Sequence, residues 1–252
     1  MTDVLVLCYH AISETWDAPL SVTPERFERQ LEALTGRGYR GATFSDAVSR
    51  PPSGRTLAVT FDDAYRSVLE LAHPVLERLG LPATVYTPTT FADSGRPMSW
   101  PGIAHWLDGD HRHELDTLSW SELSDLTAAG WEVGSHTVSH PRLTELGDSE
   151  LARELTESKA ACEDHLGTPC RSIAYPYGAL DARVERATHA AGYQYGAALP
   201  MRFEAPRPLS WPRVGMYDSD LGLRMRLKTS SSGRRIRASA LGERAVGMLR
   251  DR

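Results

Sequence analysis

The chain has 252 residues, 41% hydrophobic and 24% charged, the composition of one soluble α/β domain long enough to bury a full core. Its net charge of −5 argues against a general nucleic-acid binder, although nine basic residues against two acidic ones from Arg224 onward leave the tail near +7 and the remainder near −12. Three cysteines without a CxxC spacing exclude a disulfide framework and a zinc knuckle.

Strand and helix signals alternate along the chain, the pattern of βα units around a parallel sheet. Val4–Tyr9 is an apolar strand. It lacks a basic leader and a cleavage site, and its apolar run is too short to span a bilayer, so the expectation is a cytoplasmic protein without an integral membrane segment. Thr23-Pro24-Glu25 opens a helix whose inner face is Phe27, Leu31 and Leu34, with Gly36 and Gly38 ending it. Leu57–Phe61 is a second strand, followed by a helix with Val68, Leu71, Val75, Leu76 and Leu79, stopped by Gly80. Ala83–Thr87 is a third strand. Residues 92–119 are irregular, a long loop or inserted subsegment. Ser121 is expected to cap a helix carrying Leu123 and Leu126, and Trp131–Gly134 is a short strand. Ser149–Leu166 is an amphipathic helix, Ser172–Ala174 a strand and Asp181–Ala191 a helix. Tyr193–Ala198 and Val214–Tyr217 are late strands. Ser230-Ser231-Ser232-Gly233 has the composition of a flexible junction to a basic terminal helix. The division expected is a single-domain barrel over 1–229 and a basic tail over 230–252.

The chemistry-bearing residues fall just after strand ends. Thr60-Phe61-Asp62-Asp63 places two carboxylates side by side, and a fold that buries them needs a cation nearby. Neighbours on a strand face opposite ways, but at its end the chain can turn both to one point. His136 and His140, four apart between Gly134 and Pro141, suit a rigid ligand platform. Two imidazoles and one carboxylate make a three-ligand face with an open position for water, the donor set of a hydrolytic metal site. The metal expected is zinc, with cobalt, nickel or iron as alternatives. Tyr175-Pro176-Tyr177-Gly178 is a stiff turn that could aim the Tyr177 N–H at an oxyanion or simply pack two aromatic rings. His10 follows the first strand and could act as a general acid, and Arg213 could orient the free Asp. Read alone, each is as readily a structural side chain. His73, His105, His111, His113, His165 and His189 lack strand-end context and read as structural or surface. Trp100, Trp106 and Trp120 could flank a sugar-binding groove, though core packing is the commoner use of such residues.

These motifs, in this order, resemble the polysaccharide deacetylases of the NodB-homology type, carbohydrate esterase family 4. Thr60-Phe61-Asp62-Asp63 is similar to that family's first motif, His136-Thr137-Val138-Ser139-His140 to its second, and Ile173–Gly178 to its third. The resemblance covers roughly residues 4–217. It implies an irregular (β/α)7-type barrel, with Asp63, His136 and His140 on the metal, Asp62 as general base and the Tyr177 N–H in the oxyanion hole. Ala174 stands where the third motif often has an Arg, and Arg213 is the substitute candidate. The usual late Leu-x-His is absent. Leu7-Cys8-Tyr9-His10 is instead similar to the N-terminal Tyr-His of the biofilm poly-N-acetylglucosamine deacetylases, which gives the acid role, in protonated form, to His10. The activity implied is removal of an N-acetyl group from an amino sugar, whether glycan, lipid-linked or small molecule, with an O-acetyl esterase or other linear amide hydrolase, or an inactive carbohydrate-binding protein, as alternatives. The basic tail suggests peripheral contact with an anionic membrane, or a solvated helix.

Overall fold

A computed structural model describes residues 3–52, 54–200 and 205–237. The elements run β1 (Asp3–Tyr9), β2 (Ala11–Ile12), β3 (Ser21–Val22), α1 (Pro24–Thr35), β4 (Arg40–Gly41), α2 (Phe44–Ser49) and β5 (Arg55–Phe61). A π-helical turn (Val68–Ala72) leads into α3 (His73–Leu79), then β6 (Ala83–Thr87), α4 (Trp120–Ala128), β7 (Glu132–Ser135) and α5 (Asp148–Leu166). The chain continues through β8 (Ser172–Ala174), α6 (Ala182–Ala190), β9 (Tyr195–Ala198), β10 (Trp211–Pro212), β11 (Val214–Gly215), α7 (Gly222–Thr229) and α8 (Ser231–Arg237).

Every pairing in the main sheet is parallel, in the order β10-β9-β8-β7-β6-β5-β1-β11, with β4 added against β5. β10 and β11 lie on one continuous segment. Its first half pairs with β9 and its second half with β1, while the Arg213 N–H between them donates to the Ala198 carbonyl at 2.9 Å. This segment closes the sheet into a seven-stranded barrel, the architecture expected from the sequence.

Strand parity divides the core in two. Leu5, Leu7, Tyr9, Leu57, Val59, Phe61, Val85 and Ile173 face outward and bury against the helices. Tyr9 meets Phe27 of α1 edge-on at 5.0 Å, and its hydroxyl donates to Gln30 at 2.8 Å. Val6, Ala58, Tyr86, Ala174 and Ala197 face the barrel axis, where small side chains leave room for Tyr86. A methyl at Gly134 would stand 2.5 Å from the Tyr86 ring, so only glycine fits there. At the amino-terminal end of the barrel the Glu132 carboxylate accepts from Ser45 N and Oγ, Thr84 Oγ1 and Ser172 Oγ, tying α2 to three strands.

Some local expectations change. The α4 cap is Ser119, two residues earlier than expected: Ser119 and Glu122 form a reciprocal capping box, which Ser121 cannot do from inside the first turn. Trp120 is therefore a helical core residue, stacked on His165 at 4.4 Å rather than lining a sugar groove. The strand expected over Val214–Tyr217 shortens to two residues, while Trp211–Pro212 adds a pairing the sequence reading lacks. Ser231, Ser232 and Gly233 lie in α8 rather than in a slack linker, because the Ser230 hydroxyl accepts from Gly233 N and a helical bond continues at Arg234. The tail expected over 230–252 lies outside the described residues beyond Arg237. No described helix is long and apolar enough to cross a membrane.

Arg213 is 1% exposed and holds Asp62 through two hydrogen bonds of 2.6 and 2.8 Å. Replacing it by Met keeps volume but strands a buried carboxylate. Urea unfolding of Arg213→Met is expected to show a loss of about 3–5 kcal/mol.

Candidate active site

Asp62 continues the inward parity of Ala58 and Thr60, so its carboxylate faces the barrel axis, where Arg213 meets it. The same guanidinium donates to Thr60 Oγ1 at 3.0 Å, and the Cys8 thiol donates to Asp62 Oδ2 at 3.4 Å. Burial alone would raise the Asp62 pKa, but the Arg213 charge and hydrogen bonds overcome it and hold this carboxyl well below the usual range.

Asp63 would face the opposite way if the strand continued. Instead Asp63 and Ala64 adopt left-handed backbone, φ 67° and 51°, and swing the second carboxylate to the same mouth. Thr137, His140 and Tyr177 are also left-handed, at 70°, 61° and 58°. Among the described residues only one other non-glycine, Asp93, has positive φ, so unfavourable backbone concentrates at this site.

His136 leaves β7 pointing inward, and its Nδ1–H donates to the Ala174 carbonyl at 2.8 Å, which turns the Nε2 lone pair to the site. His140 follows a loop held by Glu154 of α5. That carboxylate accepts from the Val138 and Ser139 amides at 2.8 and 3.0 Å and from the Ser139 hydroxyl at 2.7 Å. His140 N in turn donates to Thr137 Oγ1 at 3.0 Å. Sequence reading missed Glu154. Its signal is a charged residue on the buried stripe of α5, between Leu151 and Leu155.

The result is a three-donor cluster. Asp63 Oδ1 lies 3.6 Å from His136 Nε2 and 3.3 Å from His140 Nε2. Tetrahedral bonds of about 2.0–2.1 Å to one ion place donor atoms about 3.3–3.4 Å apart. Asp63 Oδ1 is also buried without a hydrogen-bond partner, as a carboxylate oxygen reserved for a cation would be. Burial and the charge of Asp62 push the Asp63 pKa up to about 8. Burial lowers the pKa of His136, and burial with the nearby His136 lowers that of His140 to about 2, so both rings are neutral ligands. The residues fit a divalent metal ion.

His10 shares the inward parity of Cys8, and its ring nitrogen lies within 4.8 Å of an Asp62 oxygen. The sequence reading expects it protonated. Burial lowers its pKa to about 4, so it is neutral near pH 7 in the free protein. Tyr177 sits in the turn after β8, with its ring edge-on to His140 at 4.7 Å and under the Arg142 guanidinium at 4.3 Å. Trp100 comes from the irregular loop and stacks on His140 at 5.8 Å, while Trp106 packs against Trp16 in that loop's own small core. Tyr65 is fully buried, and its hydroxyl and Trp100 Nε1 stand beside Asp63, where both act to lower the Asp63 pKa by less than burial and Asp62 raise it. The remaining histidines join no metal-ligand cluster among the described residues.

The profile of the polysaccharide deacetylase family matches residues 49–196, more than half of the chain. The chain belongs to the polysaccharide deacetylase family. It is 26% identical over 196 residues to YxkH of Bacillus subtilis, which carries the family's name, covering 76% of this chain and 62% of that protein's length. It is 23% identical over 213 residues to the poly-beta-1,6-N-acetyl-D-glucosamine N-deacetylase of Staphylococcus aureus, covering 79% of this chain and 68% of that one. In structure it is similar to the deacetylase PplD of Streptococcus pyogenes, solved with acetate. The TM-score is 0.77 at 21% identity, over 91% of this chain and 99% of that one.

Two measurements test the cluster. Because Asp63 holds a proton below about pH 8, zinc must displace it. Affinity in a competition titration is expected to rise about tenfold per pH unit up to that point and then level off, with about one proton released per ion. Glu154→Ala frees the loop between the two histidines and is expected to weaken zinc binding about 10–100-fold.

Proposed function

We propose that this protein is a metal-dependent hydrolase that removes the N-acetyl group from an amino sugar, releasing acetate. The observation that carries the reading is the juxtaposition of the Asp63, His136 and His140 donors with an ionised carboxylate, Asp62, that arginine keeps off the metal. Family membership and the acetylated-sugar chemistry named for the staphylococcal relative support it.

Asp63, His136 and His140 would hold a divalent ion, zinc first, with cobalt, nickel or iron as alternatives. When bound, such an ion supplies positive charge that acidifies a water and polarises the acetyl carbonyl. Asp62 takes a proton from the attacking water, held in place by its two bonds to Arg213. The Tyr177 N–H stabilises the developing oxyanion. His10 enters neutral and close to Asp62, so the proton taken from water reaches the leaving nitrogen through His10. The C–N bond then breaks, and the amine departs with that proton. Trp100 and Tyr177, edge-on to each other at 5.4 Å and both against His140, form an aromatic wall suited to a sugar ring.

The test is acetate release from N-acetylglucosamine oligomers by metal-loaded protein. Asp63→Ala is expected to lose both metal and activity. Asp62→Asn is expected to keep the metal and lose turnover by about 10²-fold or more. His10→Ala is expected to lower kcat and leave zinc affinity unchanged. Hydrolysis at the parent rate by Asp62→Asn removes the base assignment. Stoichiometric metal with release from O-acetyl sugars alone moves the reading to an esterase.

A further inference from the structure

Among the described residues three large apolar side chains stand exposed: Tyr217 at 42%, Leu223 at 71% and Leu227 at 59%. All three belong to one short stretch of chain. Helix α7 buries Met225 and Thr229 against the barrel. At about 100° per residue, Leu223 and Leu227 then lie on the opposite face, one turn apart, pointing away from the protein. Arg226 falls on one flank of this ridge, and Arg224 and Lys228 fall on the other. Residues 222–237 hold six basic side chains and no acidic one.

On the Arg226 flank, α7 and α1 enclose a cavity of about 450 Å³, lined by Arg29, Ala33, Arg37, Leu221, Gly222, Met225 and Arg226. Its lining is mostly apolar and includes three arginines, of which Arg37 also donates to Thr229 Oγ1 at 2.8 Å. Three acidic groups of the neighbourhood are engaged, Glu25 with Arg29, Asp218 with Arg26, and the fully buried Asp220 with Arg224 and Lys228, while Glu32 of α1 is exposed. Single exposed leucines are ordinary on a protein surface. An isolated pair on one ridge, with cations along both sides and an arginine-lined slot beside it, has the pattern of a helix that lies in a lipid interface.

We infer that the α1–α7 face docks on an anionic phospholipid membrane. Leu223 and Leu227 enter the headgroup–acyl boundary, and a lipid phosphate sits in the slot between Arg29, Arg37 and Arg226. Two features together select this occupant: a 222–237 stretch with six basic side chains and no acidic one favours an anionic surface over an uncharged partner, and an acidic soluble ligand would have no use for the leucines. The inference is independent of the chemistry proposed for the barrel mouth, because it uses none of its residues.

The experiment is co-sedimentation of the full chain with vesicles of equal parts phosphatidylglycerol and phosphatidylcholine, and with pure phosphatidylcholine vesicles. Binding is expected on the first and not on the second, falling at least tenfold between 0.1 and 0.5 M salt. Leu223→Glu with Leu227→Glu, and separately Arg29→Gln with Arg226→Gln, are each expected to weaken binding at least tenfold. Thermal melting of both variants is expected to match the parent, since all four side chains are at the surface. Equal binding to both vesicle types overturns the inference. Binding that survives the leucine variant but is lost in Leu241→Glu with Leu249→Glu assigns it to the terminal segment instead, and also overturns it. A soluble dimer that the leucine variant disperses, with no vesicle binding by the parent, makes the face a contact between two copies and rejects the membrane.

Discussion

Arg213 and Asp62 meet inside the barrel at the seam where the sheet closes. The segment carrying Arg213 pairs on one side with β9 and on the other with β1, so this residue sits where two sheet edges are joined. Its guanidinium reaches past β1 to the carboxylate of Asp62 at the end of β5. A buried ion pair of this kind adds little net stability over an apolar pair of the same shape, because desolvation offsets much of the attraction. What it fixes is charge. Asp62 is held ionised in a dry interior, and that negative charge raises the proton affinity of Asp63 next door. Two adjacent buried carboxyls therefore differ: one is neutralised by arginine, and the other lacks a cation. His136 and His140, both neutral, stand where a bound cation would answer that lack.

Bringing consecutive residues to one point has a backbone cost. Left-handed conformations at Asp63, Ala64, Thr137, His140 and Tyr177 each cost of order 1–3 kcal/mol for non-glycine residues. Such strain persists only where the surroundings over-determine the loop. Glu154 does this for the histidine loop, with one carboxylate taking two amides and a hydroxyl, while Thr89 N and Thr90 N hold the Thr137 and Val138 carbonyls at 3.0 Å. Ala174 O fixes the ring of His136. The donors are thus placed before any ion arrives, and ordering the loop is not charged against binding.

How much of this the sequence discloses depends on whether a feature is local. The barrel strands read directly from apolar runs, and the carboxylate pair and the histidine pair from spacing at strand ends. Arg213 could be nominated as a partner for Asp62 but not placed, because its position depends on how the sheet closes. Of the closing strand, Trp211–Pro212 escaped and Val214–Gly215 was read too long, because its two halves pair with different neighbours for two residues each, too short for a periodic signal. Ser119 was misplaced by two residues because a serine stands at either position, and only the reciprocal bond with Glu122 selects between them. Glu154 and Tyr65 were silent for a different reason: each acts on a residue brought near by folding. The neutral state of His10 is likewise a property of burial and not of residue type.

The site is assembled from parts that can vary separately. Metal donors and Asp62 are set by the barrel strands and the loops they support. The aromatic wall is set elsewhere: Trp100 belongs to the segment between β6 and α4, which packs Met98, Ile103 and Leu115 with Trp16 and Tyr65 into a small core of its own. A change in that segment can reshape the mouth without moving a donor, since the donors are held by Ala174, Glu154 and Thr137 from the other side. Tyr65 joins the two parts, buried in the small core while its hydroxyl stands beside Asp63. The aromatic wall and the donor cluster are thus held by different contacts, so the residues that shape the mouth are not those that keep the carboxylate and the imidazoles in register.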